Sequence, residues 1–466
     1  MDKKFVLFLL LTAIVIMKPN AQTEQQGALT PEIIKEIQQS FKENDYMKGV
    51  GNAIRNNSIN KLAYTRKNEM KYDDYFKYKV NVKGITNQHQ SGRCWMFAGL
   101  NVLRPLVIEK LNLDNFEFST TYLFFWDQFE KANLFLEAII RTKDLKDDDR
   151  TIDWLYSNAI GDGGVWNLLV DLIQKYGVIP KETMPETNSS NSSSQMSRLI
   201  REKLREDGYN LRLMAKSGKK YADLEKEKIT MLKDIYKMLV LNLGEPPTSF
   251  KWRYTDKNDK TSEFKEYTPK EFYDLYVNLN LNDFVLFMDD PSRPYYKLYE
   301  IEYDRDMYEG KNWKYINVPA DKIKPFMVKS LQNNEAMYFS CDVGKQLNRD
   351  KGILALDNYD YENLLNVKFG MDKKARIITH QSGSTHGMAI VGVDTDSKEK
   401  ITKWLIENSW GMKGHNGYLI MTDPWFDQYM FRVVINKKFI DPEILKILDQ
   451  KPIMLPPWDP MFESDK

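Results

Sequence analysis

The sequence predicts an α+β protein, with most helices early in the chain and an antiparallel sheet in its last part. Apolar residues recur at helical spacing in stretches such as "GGVWNLLVDLIQKYG", which begins at Gly163. Near the C-terminus, "HGMAIVGVD", "KWLIENSW" and "GYLIM" are short apolar runs separated by turn residues, which favours paired strands. Of the 466 residues 42% are hydrophobic and 13% aromatic, so the chain can bury a large core and is not disordered.

The N-terminus is typical of a cleavable secretory signal. Two lysines precede an apolar run from Phe5 to Met17, and a proline follows before Ala21. We therefore expect a signal peptide at residues 1–21, cleavage near Ala21 and export to the periplasm or the medium. An uncleaved membrane anchor is the alternative, although the run is short for a transmembrane helix.

The charge of the chain gives no indication of a polyanionic partner. It has 67 Lys and Arg against 66 Asp and Glu, and residues 1–21 contain three of the lysines and one of the aspartates. The remainder therefore has a formal charge of −1. We expect no binding of nucleic acid and no stable membrane insertion after signal removal. The lysine-rich "KSGKK" around Lys216 is interpreted as a solvated loop.

The middle of the chain predicts helices followed by irregular structure. The apolar stretch after Gly163 has Asp162 as a possible cap and Gly177 as its stop signal. The next segment, "TNSSNSSSQ", is predicted to be a flexible loop. From Arg198 to about Leu243 the pattern is charged and helical, and residues 246–319 favour irregular structure with short strands.

One of the two cysteines lies where a nucleophile could be placed. In "QHQSGRCWMFAGLNVLR", Cys94 follows a glycine-containing turn and precedes a predicted helix from Trp95, with Ala98, Gly99 and Val102 on a narrow inner face. The positive end of that helix would favour a thiolate at Cys94.

The other cysteine is expected to be structural. Cys341 ends an alternating strand pattern in "EAMYFSC" and is interpreted as a packed thiol. A disulfide between the two cysteines is the alternative, because both would pass through an oxidising compartment if the chain is exported.

A catalytic thiolate needs a basic partner, and the chain contains only four histidines. His89 lies too near Cys94 in the same loop to face it squarely, His380 closes a predicted strand "RIITH", and His415 lies in a glycine-flanked turn. His386 begins the predicted strand "HGMAIVGVD", and it is the preferred base.

Residues downstream and upstream complete a possible catalytic set. Asn408 in "ENSWG" can accept a hydrogen bond from the imidazole of His386 and fix its orientation, and Trp410 can shield that bond from water. Gln88 can supply a side-chain N–H which, with the backbone N–H of Cys94, would form an oxyanion hole.

These motifs resemble those of a known family. The pattern "Q-x-x-x-S-G-R-C-W", with "T-H-G-M" and "E-N-S-W-G" downstream, is similar to the papain superfamily, in the branch of bleomycin hydrolase and bacterial aminopeptidase C. His386 lies 292 residues after Cys94, against roughly 130–150 in the small enzymes. The stretches "GEPPTSF", "CDVGK" and "LPPWDPM" extend the likeness over nearly all of residues 22–466. Gly387 stands where the family pattern has alanine.

The resemblance implies a papain-like fold, with a helical half that carries the cysteine and a sheet half that carries the histidine and asparagine. It implies a core at about residues 80–185 and 335–455, a large insertion at about 186–334 that serves assembly into a homohexamer, and a tail at 456–466. It also implies Cys94 as nucleophile, His386 as base and acid, Asn408 as its orienting partner and Gln88 as oxyanion donor.

The activity implied is that of a cysteine aminopeptidase, without cofactor or metal, that acts on peptides. The tail would lie on the non-primed side of the cleft, where the carboxylate of Lys466 would receive a substrate's α-ammonium, while Trp410 would contribute to substrate binding. Two other readings remain open at this point. One is a monomeric papain-like endopeptidase, and the other is a secreted pseudoenzyme that binds peptides without cleaving them.

Overall fold

A computed structural model describes residues 27–461 of the chain. The predicted signal peptide at 1–21 and the predicted carboxylate of Lys466 lie outside the described residues. The chain divides after Ala63 into two compact units, which are described separately.

From residue 27 onward, the first unit contains the three helices α1 (Pro31–Ser40), α2 (Asp45–Asn56) and α3 (Ile59–Ala63). The Thr30 hydroxyl caps α1, which has proline at its first position, and the side chain of Asn44 caps α2.

The second unit begins at Tyr64 and contains the other helices. These are α4 (Cys94–Lys110), α5 (Thr120–Arg141), α6 (Arg150–Ser157), α7 (Trp166–Tyr176), α8 (Asn188–Asn191), α9 (Ser194–Lys216), α10 (Tyr221–Leu243), α11 (Pro269–Tyr276), α12 (Ala320–Gln332), α13 (Tyr361–Leu365), α14 (Lys373–Ile378), α15 (Asp423–Tyr429) and α16 (Pro442–Leu445). Short 3₁₀ helices lie at Arg66–Met70, Lys181–Thr183, Leu281–Asp283, Lys437–Phe439 and Lys446–Asp449.

The strands of this unit form one large sheet and one separate pair. They are β1 (Tyr78–Lys79), β2 (Phe250–Trp252), β3 (Lys265–Tyr267), β4 (Phe284–Met288), β5 (Lys297–Ile301), β6 (Lys314–Asn317), β7 (Met337–Cys341), β8 (Leu347–Asn348), β9 (Ile353–Leu354), β10 (His386–Thr395), β11 (Ile401–Glu407), β12 (Tyr418–Thr422), β13 (Met430–Asn436) and β14 (Ile453–Leu455). The order in the large sheet is β14-β5-β6-β4-β13-β7-β10-β11-β12-β9-β8, with β1 beside β10, while β2 pairs with β3.

The centre of the large sheet is antiparallel, as the sequence predicts. Strand β10 pairs with β7 on one side and β11 on the other, and β11 pairs with β12. In this register His386 lies opposite Cys341, and Ala389 lies opposite Glu407. The start of β10 and the end of β11 therefore meet at the same edge of the sheet.

Helix α4 packs against β10, β7 and α7. Its buried residues surround the helix axis, so the narrow inner face predicted for Ala98, Gly99 and Val102 is wrong. An added Cβ at Gly99 would come within 2.1 Å of the Leu169 side chain, so this glycine permits α4 and α7 to approach closely. The mixed helical and sheet architecture confirms the predicted α+β class.

Three local predictions differ from the structure. Val165, and not Asp162, precedes α7, because the Asp162 carboxylate binds other groups; Gly177, with φ 75°, ends the helix as predicted. The segment "TNSSNSSSQ" is not a loop throughout, since Thr187 caps the short helix α8 and Ser190 is buried. The first three residues of "RIITH" belong to helix α14, which ends at Ile378 and whose start is capped by the Asp372 side chain, so no strand forms there.

Other predictions of the middle region agree with the structure. Residues 198–243 form α9 and α10, which are separated by an exposed turn at Gly218. Residues 246–319 contain the short strands β2 to β6, and also α11. Strand β4 pairs with β13, so this part of the predicted insertion contributes to the large sheet. No helix between residues 27 and 461 is long and apolar enough to cross a membrane.

Candidate active site

Cys94 is the first residue of α4, and its side chain is partly exposed and forms no disulfide with Cys341. The N–H groups of a helix's first turn are not used by the helix's own hydrogen bonds, and the dipole is positive at this end. Both effects stabilise a thiolate over a thiol. The sequence prediction of a cysteine at a helix start is therefore confirmed, one residue earlier than expected.

Arg93 fixes the turn that precedes Cys94. Its side chain is completely buried, with Nη2 donating to Glu186 Oε2 at 2.8 Å and to the Ser190 carbonyl at 2.7 Å. Burial raises the pKa of Glu186, but Arg93 and hydrogen bonds from two hydroxyls bring that pKa below its ordinary value. The ion pair therefore stays charged and holds the turn against the start of α8.

His386 and Asn408 lie in contact at the edge of the sheet. The imidazole Nε2 is 2.8 Å from Asn408 Oδ1, which also accepts the backbone N–H of Ser409 at 2.8 Å. Since a backbone N–H only donates, the oxygen of this amide is identified, and Nε2 must carry the imidazole proton. Nδ1 is then the basic nitrogen of the neutral ring.

Trp410 covers His386. The two rings are stacked, with centroids 4.8 Å apart and an interplanar angle of 27°. The histidine is 6% exposed, and burial lowers its pKa to about 4, although its hydrogen bond to Asn408 acts in the opposite direction. The positive charge of Arg349, which lies 5.2 Å from the Trp410 ring centroid, adds to the lowering. The imidazole of His386 is thus neutral at neutral pH when no thiolate lies beside it.

Gly387 connects the two halves of the site. Its backbone N–H donates to Cys94 Sγ at 3.5 Å, so the start of β10 contributes a donor to the sulfur. A Cβ at this position would lie 3.2 Å from Trp95 Cα and 3.1 Å from the Tyr338 hydroxyl, which is tighter than most real contacts. The glycine that departs from the family pattern therefore suits a close approach of β10 to α4.

Gln88 is buried beside the segment that carries Asn408. Its backbone N–H donates to the Ser409 carbonyl at 2.8 Å, and its Oε1 accepts from the Ser409 hydroxyl at 2.7 Å. Its Nε2 donates one hydrogen to the Ser91 carbonyl at 2.7 Å. A second hydrogen remains on this nitrogen, which is what an oxyanion donor needs.

Asp162 has a position that the sequence did not reveal. Its carboxylate accepts the Gly92 backbone N–H at 3.2 Å and the Ser197 hydroxyl at 2.7 Å, and also binds the Ser193 hydroxyl. Its backbone carbonyl accepts the Trp95 indole N–H at 2.8 Å. Asp162 therefore fixes the chain on both sides of Cys94 and links this segment to α9.

A buried ion pair lies behind the site. Arg104 of α4 donates to Glu407, the residue before Asn408, and also to the Gly84 carbonyl at 2.5 Å. Burial raises the pKa of Glu407 to about 7, against the attraction of Arg104. This contact links the helix that carries Cys94 to the end of strand β11, directly before Asn408.

The remaining histidines lie elsewhere. His89 and His380 are exposed, and His415, in a turn before β12, is 2.8 Å from an Asp74 carboxylate oxygen. Cys341 is a free, fully buried thiol whose pKa is raised by burial. The packed-thiol prediction is confirmed and the disulfide alternative is wrong.

A cleft of about 550 Å³ contains Cys94 and His386. Gln88 lines it on one side, residues 161–164 on another, and Gly387 on the strand side. Trp410, predicted to bind substrate, is not among its lining residues, because its ring lies over His386. No group of His, Cys, Asp or Glu side chains suited to a metal ion occurs between residues 27 and 461.

The end of the described chain approaches this cleft. Arg432 lines it and donates from Nη2 to the Met461 carbonyl at 2.8 Å. Asp459 accepts from Arg293 Nη2 at 2.5 Å, and the Trp458 ring lies 4.3 Å from the guanidinium of Arg150. The residues after the two prolines of the tail are therefore anchored as far as Met461.

Comparisons with known proteins identify the family of this chain. The sequence model of the Peptidase C1-like family matches residues 28–462. Aminopeptidase C of Lactococcus lactis subsp. lactis (strain IL1403) is 36% identical over 436 residues, which cover 93% of this chain and 99% of its own. Bleomycin hydrolase of Homo sapiens is 39% identical over 389 residues, with 81% of this chain and 86% of its own covered.

A solved structure, that of PepW from Lactobacillus rhamnosis HN001, superposes with a TM-score of 0.91 at 36% identity, covering 94% of this chain and 99% of the other. The papain-like fold predicted from the motifs is thereby confirmed. The chain belongs to the Peptidase C1-like family and is a cysteine peptidase.

Proposed function

We propose that this chain is an aminopeptidase that releases N-terminal residues from peptides through Cys94, His386 and Asn408. The observation that carries the proposal is the hydrogen bond of 2.8 Å between His386 and Asn408 beside a cysteine at a helix N-terminus. The similarity to aminopeptidase C and bleomycin hydrolase supports the substrate class.

In the first step the Cys94 thiol gives its proton to Nδ1 of His386, and the sulfur attacks the scissile carbonyl carbon. The carbonyl oxygen becomes an oxyanion, which accepts hydrogen bonds from Gln88 Nε2 and the Cys94 backbone N–H. The protonated imidazole then gives its proton to the leaving nitrogen, and the C–N bond breaks. The rest of the peptide departs as a free amine.

In the second step a water molecule hydrolyses the thioester. Nδ1 of His386 takes a proton from the water, whose oxygen attacks the acyl carbon. The C–S bond breaks, the released acid leaves, and the proton returns to the Cys94 sulfur. Asn408 keeps the imidazole in the required tautomer throughout, because its Oδ1 accepts from Nε2.

The anchored tail supports a restriction to N-terminal residues. Arg432 lines the cleft and holds the Met461 carbonyl, so the described chain reaches the cleft wall five positions before Lys466 in sequence. A carboxylate at the end of so short a segment would attract a substrate's α-ammonium and obstruct a longer peptide. The endopeptidase alternative lacks such an obstruction.

The decisive experiment compares the two cysteines. Cys94→Ala should abolish hydrolysis of aminoacyl amides with an unchanged melting temperature, whereas Cys341→Ala should keep most of the activity. A thiol-directed inhibitor should label wild-type protein once per chain at neutral pH, at Cys94. Turnover by Cys94→Ala would exclude the nucleophile, and stoichiometric labelling without any turnover would favour the peptide-binding pseudoenzyme.

Assembly and export are proposed from the family resemblance and from the N-terminal sequence. In size-exclusion chromatography with light scattering, a homohexamer should have a mass six times that of the chain, and the mass of a monomer would contradict the proposal.

Expressed with its own N-terminus in a Gram-negative host, the protein should be periplasmic and begin near Gln22. Full-length protein confined to the cytoplasm would exclude the signal peptide.

A further inference from the structure

An exposed arginine lies close to the proposed base. The guanidinium carbon of Arg349 is 5.2 Å from the centroid of the Trp410 ring, and this ring is stacked on His386 at 4.8 Å. The positive charge of Arg349 contributes to the lowered pKa of His386, so the two groups interact. Neither Arg349 nor Trp410 lines the cleft that contains Cys94. A cation therefore lies beside the base but outside that cleft.

The backbone that carries Arg349 is held in place. Asn348 of β8 lies opposite Ile353 of β9, so residues 349–352 form the turn of this hairpin. The Asn348 side chain accepts a backbone N–H of the turn at 3.1 Å, and Gly352 has a φ of 67°. The Gly352 carbonyl accepts a backbone N–H of β12 at 2.7 Å. These contacts fix the position of the turn relative to the large sheet.

The charge of Arg349 has no carboxylate partner within residues 27–461. No Asp or Glu in that range forms an ion pair with it, and the neighbouring Asp350 is exposed to solvent. Arg93 and Arg104, by contrast, are buried and each is paired with a carboxylate. A guanidinium presents a planar set of donors that suits a carboxylate. Contact with the indole restricts its conformations, so less freedom is lost when an anion binds.

The proposed mechanism sets the direction of a bound peptide. His386 protonates the leaving nitrogen, so the leaving peptide begins beside this histidine. The N-terminal residue of the substrate lies on the side of the cleft where Arg432 holds the Met461 carbonyl. The leaving peptide then extends away from the tail and passes Trp410. Because an extended chain advances only about 3.3 Å per residue, its first residue is within reach of Arg349.

We infer that Arg349 is a specificity-determining residue, which binds a carboxylate on the first residue of the leaving peptide. That carboxylate is either the side chain of an acidic residue in the second position of the substrate or the terminal carboxylate of a dipeptide. The inference rests on the proposed aminopeptidase activity. It adds to that activity a preference for the residue that follows the scissile bond.

The test measures kcat/KM for leucine release by the full chain from two pairs of substrates. Leucyl-glutamic acid α-amide and leucyl-glutamine α-amide differ in the charge of the second side chain. Leucyl-alanine and leucyl-alanine amide differ in the terminal carboxylate. In each pair we expect the anionic substrate to be preferred by about twofold to fivefold, as for a solvent-exposed ion pair. The preference should decrease as salt is added.

Variants assign the preference to Arg349. Arg349→Gln should abolish it, and Arg349→Glu should instead favour leucyl-lysine α-amide over leucyl-glutamine α-amide. A change in the pKa of His386 alters the rates of both members of a pair alike, so the ratio within a pair reports the contact with the substrate. The matched control is Arg253→Gln, which removes an exposed guanidinium 4.4 Å from the Phe264 ring centroid and outside the cleft lining. It should keep the wild-type preference.

A preference confined to one pair supports the inference and identifies which carboxylate Arg349 binds. Two results would overturn it. One is equal kcat/KM within both pairs for a wild-type chain that releases leucine. The other is a preference that survives Arg349→Gln, even if the rates of all substrates change, because Arg349 would then act only through the pKa of His386. Failure of the proposed function is distinguishable, because it appears as no leucine release from any of these substrates.

Discussion

Removing the ring that covers His386 should raise the pKa of that histidine. The perturbation is Trp410→Ala in the Cys94→Ala chain, where no thiolate stabilises the imidazolium. Burial is the largest cause of the lowered pKa of about 4, and the stacked indole covers one face of the imidazole at a centroid distance of 4.8 Å. The ordinary pKa is 6.5, so the net effect of burial, the Asn408 hydrogen bond and Arg349 disfavours the charged ring by about 3 kcal/mol.

Without the indole, water can reach one face of the His386 imidazole. This hydration should remove part of the free-energy penalty on the charged ring. We expect the pKa of His386 to rise by at least about one unit, which corresponds to ~1.4 kcal/mol. Arg349 makes the smallest of the three contributions to the pKa of His386, after burial and the Asn408 hydrogen bond. Arg349→Gln should therefore raise this pKa by less than Trp410→Ala does. Proton NMR can follow the titration directly, because the chain has only four histidines and His386→Gln assigns the signal.

The same shift has a consequence for stability. The folded pKa lies below the unfolded one, so the unfolded chain binds more protons as pH falls below 6.5, and stability is lost between pH 6.5 and about 4. Trp410→Ala should raise the folded-state pKa of His386 and so narrow the pH range over which this stability is lost. An unchanged pKa of His386 in Trp410→Ala would refute the assignment of the lowering to burial beneath this ring.

Three further changes test other contacts. Asn408→Ala should reduce kcat less severely than His386→Ala, because it orients the base and transfers no proton; equal losses would contradict that division. Arg104→Met should destabilise the fold by about 3 kcal/mol in denaturant titrations, since it leaves the buried Glu407 unpaired; a loss below about 1 kcal/mol would mean that the pair is not a structural link. Deletion of residues 462–466 should raise cleavage of N-acetylated peptides relative to free-amine peptides, and an unchanged ratio would exclude the tail from substrate selection.

The parts of the fold that were predictable are those that depend on local pattern. Periodic apolar spacing identifies α7, and a glycine with positive φ ends it at Gly177. Short apolar runs between turn residues identify β10, β11 and β12. Where the pattern was polar it was misread: the serines around Ser190 indicate a loop, but Ser190 donates to Glu186 and its carbonyl accepts from Arg93, and these buried partners order the segment.

The chemical groups of the site were predictable because each is an unusual residue in a suggestive local setting. The residues that hold them were not. Asp162 resembles a helix cap in sequence, and only the folded chain brings Gly92 and Ser197 to its carboxylate. Arg104 and Glu407 are ordinary charged residues 303 positions apart. Their pairing depends on tertiary structure, for which neither segment carries a signal.

The long separation of Cys94 from His386 is compatible with a well-defined site for a physical reason. The entropy cost of closing a loop grows only with the logarithm of its length, so each doubling costs about 0.6 kcal/mol. The separation of 292 residues is about twice that of small papain-like enzymes. A single buried hydrogen bond between the two segments, such as that from the Gln88 N–H to the Ser409 carbonyl, contributes about 1 kcal/mol and offsets that cost. The site is defined by contacts between residues 84–104 and 386–410, and the chain between them is free to elaborate at little cost to catalysis.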